Sequence, residues 1–197
     1  MLIKKGVAAS LGIAIGKAHI VKEENILIEQ KEIAPEKIKA EIKRFKEALD
    51  KTKLDLDAIR GKILTVLGKN HAKLIDAHHL ILQDPLITKE VPKLIAQKGI
   101  NAEFALSEIL DKAEEQFEKI DDEFFHERKH DVFDVGKKII SNLVNSEKTS
   151  LKDLKEPVII VAHNLYPSDT LHIRESNKVL GFCMDLGSKS SHTAIFA

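Results

Sequence analysis

From about residue 35 to residue 144 apolar side chains recur every three or four positions, whereas nearer the ends they come in short continuous runs. The first pattern predicts helices and the second predicts strands. Pro35 opens the clearest helix at a first-turn position where its missing N–H costs nothing, and Ile38, Ile42, Phe45, Leu49, Leu56, Ile59 and Ile63 follow at helical spacing. A narrow stripe on so charged a helix predicts antiparallel packing in a bundle. A second helix is predicted over Asn70 to Gln83, with Leu74, Ile75, His78, Ile81 and Leu82 along one side. Asp84 and Pro85 read as the cap and first turn of the next helix, which Pro92 would kink or shorten. Gly99 closes that segment. Asn101 then caps a helix carrying Ala105, Ile109, Phe117 and Ile120, and a last helix from about Asp122 carries Phe125, Val132, Val135, Ile139 and Leu143.

The runs Ala18 to Val21, Val158 to Val161 and Val179 to Cys183 read as strands, and Gly6, Gly12 and Gly16 at one end and Gly181 and Gly187 at the other punctuate them. About four long helices thus lie between two β-containing ends. The predicted class is α+β and discontinuous: an α/β unit from residues 1–22 and 145–197, with a four-helix bundle over residues 23–144 inserted in it.

Charge and composition narrow the functional classes. Thirty-one basic residues balance thirty-one acidic ones, so no global field draws the chain to nucleic acid or to an anionic membrane. Cys183 is the single cysteine and has no internal partner for a disulfide, which fits the cytoplasm. No apolar run approaches the ~20 residues of a membrane span. The stretch from Gly6 to Gly16 follows two lysines as a signal peptide would, but three glycines, Ser10 and the lack of a cleavage site argue against secretion.

Nine histidines supply the candidate chemistry. His126, Glu127 and His130 satisfy a zinc-hydrolase pattern, two imidazoles on one helical face with a Glu as general base; a solvated helical face has the same sequence. His71 and His78, with His79 alongside, share a helix face two turns apart, which suits a surface met by a partner or a half-buried packing position. The third candidate is Asp185 to Ile195, a strand end, a small polar loop and a helix start. Ser191 as cap would put His192 in the first turn, where the helix dipole disfavours imidazolium and would later favour a phosphoryl group. Backbone N–H groups, the hydroxyls of Ser188, Ser190, Ser191 and Thr193, and the charge of Lys189 offer partners for phosphoryl oxygens. A histidine at a helix start can equally be structural.

The segment Gly187-Ser-Lys-Ser-Ser-His192-Thr-Ala-Ile is similar to the phosphohistidine motif of enzyme I of the bacterial phosphoenolpyruvate-dependent sugar phosphotransferase system. Three more segments resemble that family in the same order. They are Ala9-Ser-Leu-Gly-Ile-Ala-Ile-Gly-Lys-Ala18, Asp121-Asp-Glu-Phe-Phe-His-Glu-Arg-Lys-His-Asp-Val-Phe-Asp-Val-Gly136, and Tyr166-Pro-Ser-Asp-Thr170 followed by Val179-Leu-Gly-Phe182. The resemblance implies that His192 takes the phosphoryl group on its outer ring nitrogen. It implies that Thr170 orients the imidazole and that Gly187, Lys189, Ser191 and Thr193 belong to the phosphoryl loop. It also implies that the inserted bundle binds HPr, the histidine-containing carrier of sugar uptake, through His78 and Arg128 with Ile75, Ile81, Phe117 and Phe125 as the apolar part. His126 to His130 then belong to a docking helix, and no metal is expected in this chain.

The chain departs from the family pattern in places. Ser188, Lys189 and Ser190 stand for glycine, arginine and threonine, giving a stiffer loop without a bidentate phosphate clamp. Lys69, Asn70 and His71 stand where relatives often carry acidic residues, so an exchanged charge pattern on the carrier would restore complementarity. The family continues into a TIM-barrel domain that binds phosphoenolpyruvate and Mg²⁺ and forms a homodimer. The chain is therefore expected to be an N-terminal fragment of a phosphotransferase, unable to use phosphoenolpyruvate by itself; an HPr-docking module without catalysis is the alternative.

Overall fold

The computed structural model describes residues 3–21, 27–119, 123–145, 154–165 and 176–185 together with Leu151, Asp169, Thr170 and Ile173, with the backbone alone for residues 67 and 123–128. The chain separates into two compact units, residues 1–25 with 148–197, and residues 26–147. It is α+β, as the periodicity predicts.

In the first unit β1 (Lys17–Val21), β2 (Val158–Ala162) and β3 (Val179–Met184) form a parallel sheet in the order β1-β2-β3. Lys17 is opposite Val158 and Val21 opposite Ala162, so the whole helical unit is inserted between two strands that are neighbours in the sheet. One face is packed. Val158, Ile160 and Ala162 of β2 are buried with Leu151, Leu154 and Leu165, and Val21, Val179, Phe182 and Met184 close round them. On β1 and β3 Ile20 and Leu180 remain exposed.

The second unit is helical: α1 (Ile38–Leu67) after a single 3₁₀ turn at Pro35–Lys37, α2 (Lys69–Leu82), α3 (Val91–Lys98), α4 (Ala102–Phe117) and α5 (Glu123–Leu143). Phe45, Ile63, Ile75, Ile95, Leu106, Val135 and Ile139 lose all or nearly all contact with water, each such side chain contributing about 1.5–3 kcal/mol. Arg60 meets Asp76, and Asp57 lies beside His79, so partners run in opposite directions and α1 and α2 are antiparallel. Gly68 alone joins them, at φ 85 and ψ 178, a conformation open in practice only to glycine.

Three sequence expectations change in detail. Asp84 does cap, its Oδ1 accepting the Leu86 N–H at 2.8 Å, but the following turn Leu86–Glu90 is a π turn and α3 proper begins at Val91. Pro92 lies in the first turn of α3, where its missing N–H is tolerated, so it opens that helix without kinking it. Asn101 is the residue before α4, yet its side chain does not cap the helix; its Oδ1 accepts the Lys31 N–H at 2.9 Å. The first N–H of α4, on Ala102, is taken by Glu41 Oε1 of α1 at 2.7 Å. The buried stripe of α4 is Ala102, Ala105, Leu106, Leu110 and Ala113, leaving Ile109 and Phe117 half-buried and Ile120 outside the described residues.

Candidate functional site

All three strands deliver their C-terminal ends to the same edge of the sheet, the edge at which open α/β sheets bind ligands. β2 runs into His163 and β3 into Asp185, and His163 Nδ1 lies 3.2 Å from Asp185 Oδ2. The pair bridges the two strand ends and fixes which nitrogen of His163 faces the carboxylate. Next along the chain Asn164 Oδ1 accepts the Leu165 N–H at 2.9 Å, turning the backbone out of β2. Thr170 is 4 % exposed. Gly187, Lys189, Ser191, His192 and Thr193, which follow β3, lie outside the described residues.

In the helical unit the expected docking residues separate. Ile75 is 0 % exposed and His78 6 %, so both belong to the interior of the bundle and Ile75 has no surface to offer a partner. His78 Nε2 reaches Asp131 Oδ1 of α5 at 3.3 Å. The correction follows from helical phase: Ala72, Ile75, His78 and Leu82 recur every three or four residues on the inward side. Leu74, assigned to that side from sequence, is 38 % exposed, and Leu80, not singled out, is 70 % exposed. Ile81 and Phe117 are half-buried, and the side chains of Phe125 and Arg128 lie outside the described residues. The outward stripe of α2 is thus Asn70, Lys73, Ala77 and Leu80, flanked by Leu74 and Ile81.

Charge organises the surroundings. Arg60 donates to Asp76 at 2.6 Å and holds that carboxyl below the usual range. His79 Nε2 lies 3.2 Å from Asp57 Oδ1 in a direction that makes no hydrogen bond, a proximity of charge alone. On α4 partial burial, then Glu114, Glu108 and Glu115, push the Asp111 carboxyl up. Lys129 of α5 answers part of that excess, at 2.7 Å from Glu114 and 3.2 Å from Glu118. Of the zinc candidates, the side chains of His126 and Glu127 lie outside the described residues and His130 is exposed. Among the described residues no three His, Cys, Asp or Glu side chains gather as a metal site requires, and no helix is long and apolar enough to cross a membrane.

Residues 5–128 match the family model for the PEP-utilising enzyme, N-terminal, and residues 154–197 match that for its mobile domain. The chain belongs to the PEP-utilising enzyme family. The resemblance to enzyme I holds across the family's members. The chain is similar to the phosphoenolpyruvate-protein phosphotransferase of Listeria monocytogenes and to that of Bacillus subtilis, each 39 % identical over 98 % of this chain and 33 % of the relative. The protein of the same name from Haemophilus influenzae is 36 % identical over the same shares. A solution structure of Enzyme I is matched with a TM-score of 0.75 at 38 % identity, over 97 % of this chain and 77 % of that one. A structure titled as the N-terminal domain of Enzyme 1 - Nitrogen shares the fold, with a TM-score of 0.63 at 21 % identity over 95 % and 76 % of the two chains. The chain spans about a third of the length of the curated family members it matches.

Proposed function

We propose that this chain is the phosphohistidine and HPr-docking part of an enzyme I, which transfers the phosphoryl group of phosphoenolpyruvate to HPr in the cytoplasm for sugar uptake. The observation that carries the reading is the 38 % identity and 0.75 TM-score with Enzyme I over nearly the whole chain, spanning both units. The order of motifs in the sequence supports it independently.

In this reading the outer ring nitrogen of His192 attacks phosphorus. The bond from phosphorus to the enol oxygen breaks, enolpyruvate leaves, and the phosphoryl group passes from His192 to a nitrogen of HPr. Splitting one transfer into two is what an imidazole nucleophile supplies. Thr170 is the residue that orients the ring, and burial suits that role, because a side chain held by packing keeps its direction. The hydroxyls of Ser191 and Thr193, the Lys189 charge and the backbone at Gly187 receive the phosphoryl oxygens. Lys189 acts there as a point charge. An arginine would grip two oxygens at once.

HPr meets the helical unit on the outward stripe of α2 and the neighbouring turns of α4 and α5. Ile81 and Phe117, with Leu74 and Leu80, form the apolar part, and Arg128 and Phe125 remain assigned to this surface. His78 is a positioning residue in this account, joining α2 to Asp131 of α5. Phosphoenolpyruvate, Mg²⁺ and the homodimer contact are assigned to a further domain of the whole protein. The test is a comparison of donors. The chain alone should take no label from labelled phosphoenolpyruvate and should take label from phospho-HPr; label from phosphoenolpyruvate alone contradicts the assignment of the donor site to another domain.

A further inference from the structure

We infer that the partner meeting this helical unit is bipolar, with acidic side chains toward the N-terminal half of α2 and basic ones toward the outward side of α4. The inference rests on the docking reading above and adds to it the charge of the partner and the direction in which it lies.

The outward side of α2 changes character along its length. Its first turns expose Lys69, Asn70 and Lys73, and its last turns expose Leu80 with half-buried Ala77 and Ile81 beside it. Asp76 is the one acidic residue of α2, and Arg60 of α1 takes it up at 2.6 Å. No acidic residue stands in the first turn, and no side chain caps the helix start at Gly68. A helix N-terminus carries partial positive charge, so lysine in its first turn is placed against the helix's own field. That arrangement costs the isolated protein stability and gains from an acidic neighbour.

On α4 the sign reverses: Asp111, Glu115 and Glu118 are exposed on the side opposite the buried Leu106, Leu110 and Ala113. One turn of α5 connects the two surfaces. Its Asp131 is 3.3 Å from His78 of α2, and its Lys129 is 2.7 Å from Glu114 of α4. A partner seated on the apolar end of α2 is therefore between a basic and an acidic region. Charges at the rim of an interface set orientation, on-rate and salt dependence more than final affinity, so the two signs specify which way round the partner docks.

The test uses the intact chain and HPr, with affinity measured by calorimetry at low and high salt. Variants are Lys69→Glu with Lys73→Glu, Asp111→Lys with Glu115→Lys, and Leu80→Asp, each checked for an unchanged helical spectrum. Either double charge reversal should weaken binding roughly tenfold at low salt, and the difference should shrink as salt screens it. Binding that is unchanged or tighter after the α2 reversal overturns the bipolar partner. Loss of binding in Leu80→Asp beside unaffected charge variants keeps the docking face and removes the charge inference. Unchanged binding in all three removes both.

Discussion

Arg44 connects three helices of the bundle. Its guanidinium donates to Glu41 on its own helix at 2.6 and 3.1 Å, to both carboxylate oxygens of Glu103 on α4 at 2.7 Å, and to the Leu143 carbonyl that ends α5 at 3.1 Å. The bonds to Glu103 and then Glu41 raise its pKa, so it stays charged at every workable pH. For Glu103 burial opposes ionisation, and the Arg44 fork overcomes that and holds the carboxyl below its ordinary value of 4.5. A lowered carboxyl pKa means stability that is complete above the unfolded value and is lost as pH falls through the folded one. Arg44→Ala should lower unfolding free energy by about 2 kcal/mol at neutral pH, a value discounted for partial exposure, and by less below pH ~4, as urea titrations at both pH values would show. At this scale the sequence is only half informative. Periodicity finds the buried side of α2 but not its phase to within one residue, so Leu74 and Ile75 exchange roles. It also cannot reveal that Glu41 caps α4, because that contact joins residues far apart in the chain.

The elements themselves were legible because each has its own punctuation. Pro35, Gly68, Gly99 and Asn101 all stand at helix boundaries, and the three apolar runs became β1, β2 and β3. The π turn at Leu86–Glu90 was not legible, since the pattern of apolar spacing is too coarse to separate it from the α-helix it joins. Gly68 makes the sharpest prediction here. A Cβ would meet nothing within 4 Å, so any cost of Gly68→Ala comes from its φ of +85° and from no clash. The expected loss is about 1–3 kcal/mol in thermal or denaturant unfolding. Gly136→Ala should also destabilise, for the opposite reason: its new methyl group runs into Leu110, where α5 approaches α4 closely, and Leu110→Ala should recover part of the loss by making room.

The whole molecule is two folding units in one chain, and the insertion of one between adjacent strands of the other follows from strands at both ends and helices between. Burial makes the helical unit self-sufficient: its core side chains are covered by its own helices. Residues 26–147 expressed alone should unfold cooperatively and bind HPr with the affinity of the intact chain; loss of folding on excision contradicts that independence. What no periodicity could supply is the chemistry of His192, which came from motif resemblance and from the edge at which the strands end. The most direct measurement is therefore incubation with labelled phospho-HPr, comparing the chain with its His192→Ala variant and mapping the label by peptide. The account predicts acid-labile label on the peptide containing His192 and none in the variant. Equal label in the variant, or label on another residue, would contradict it.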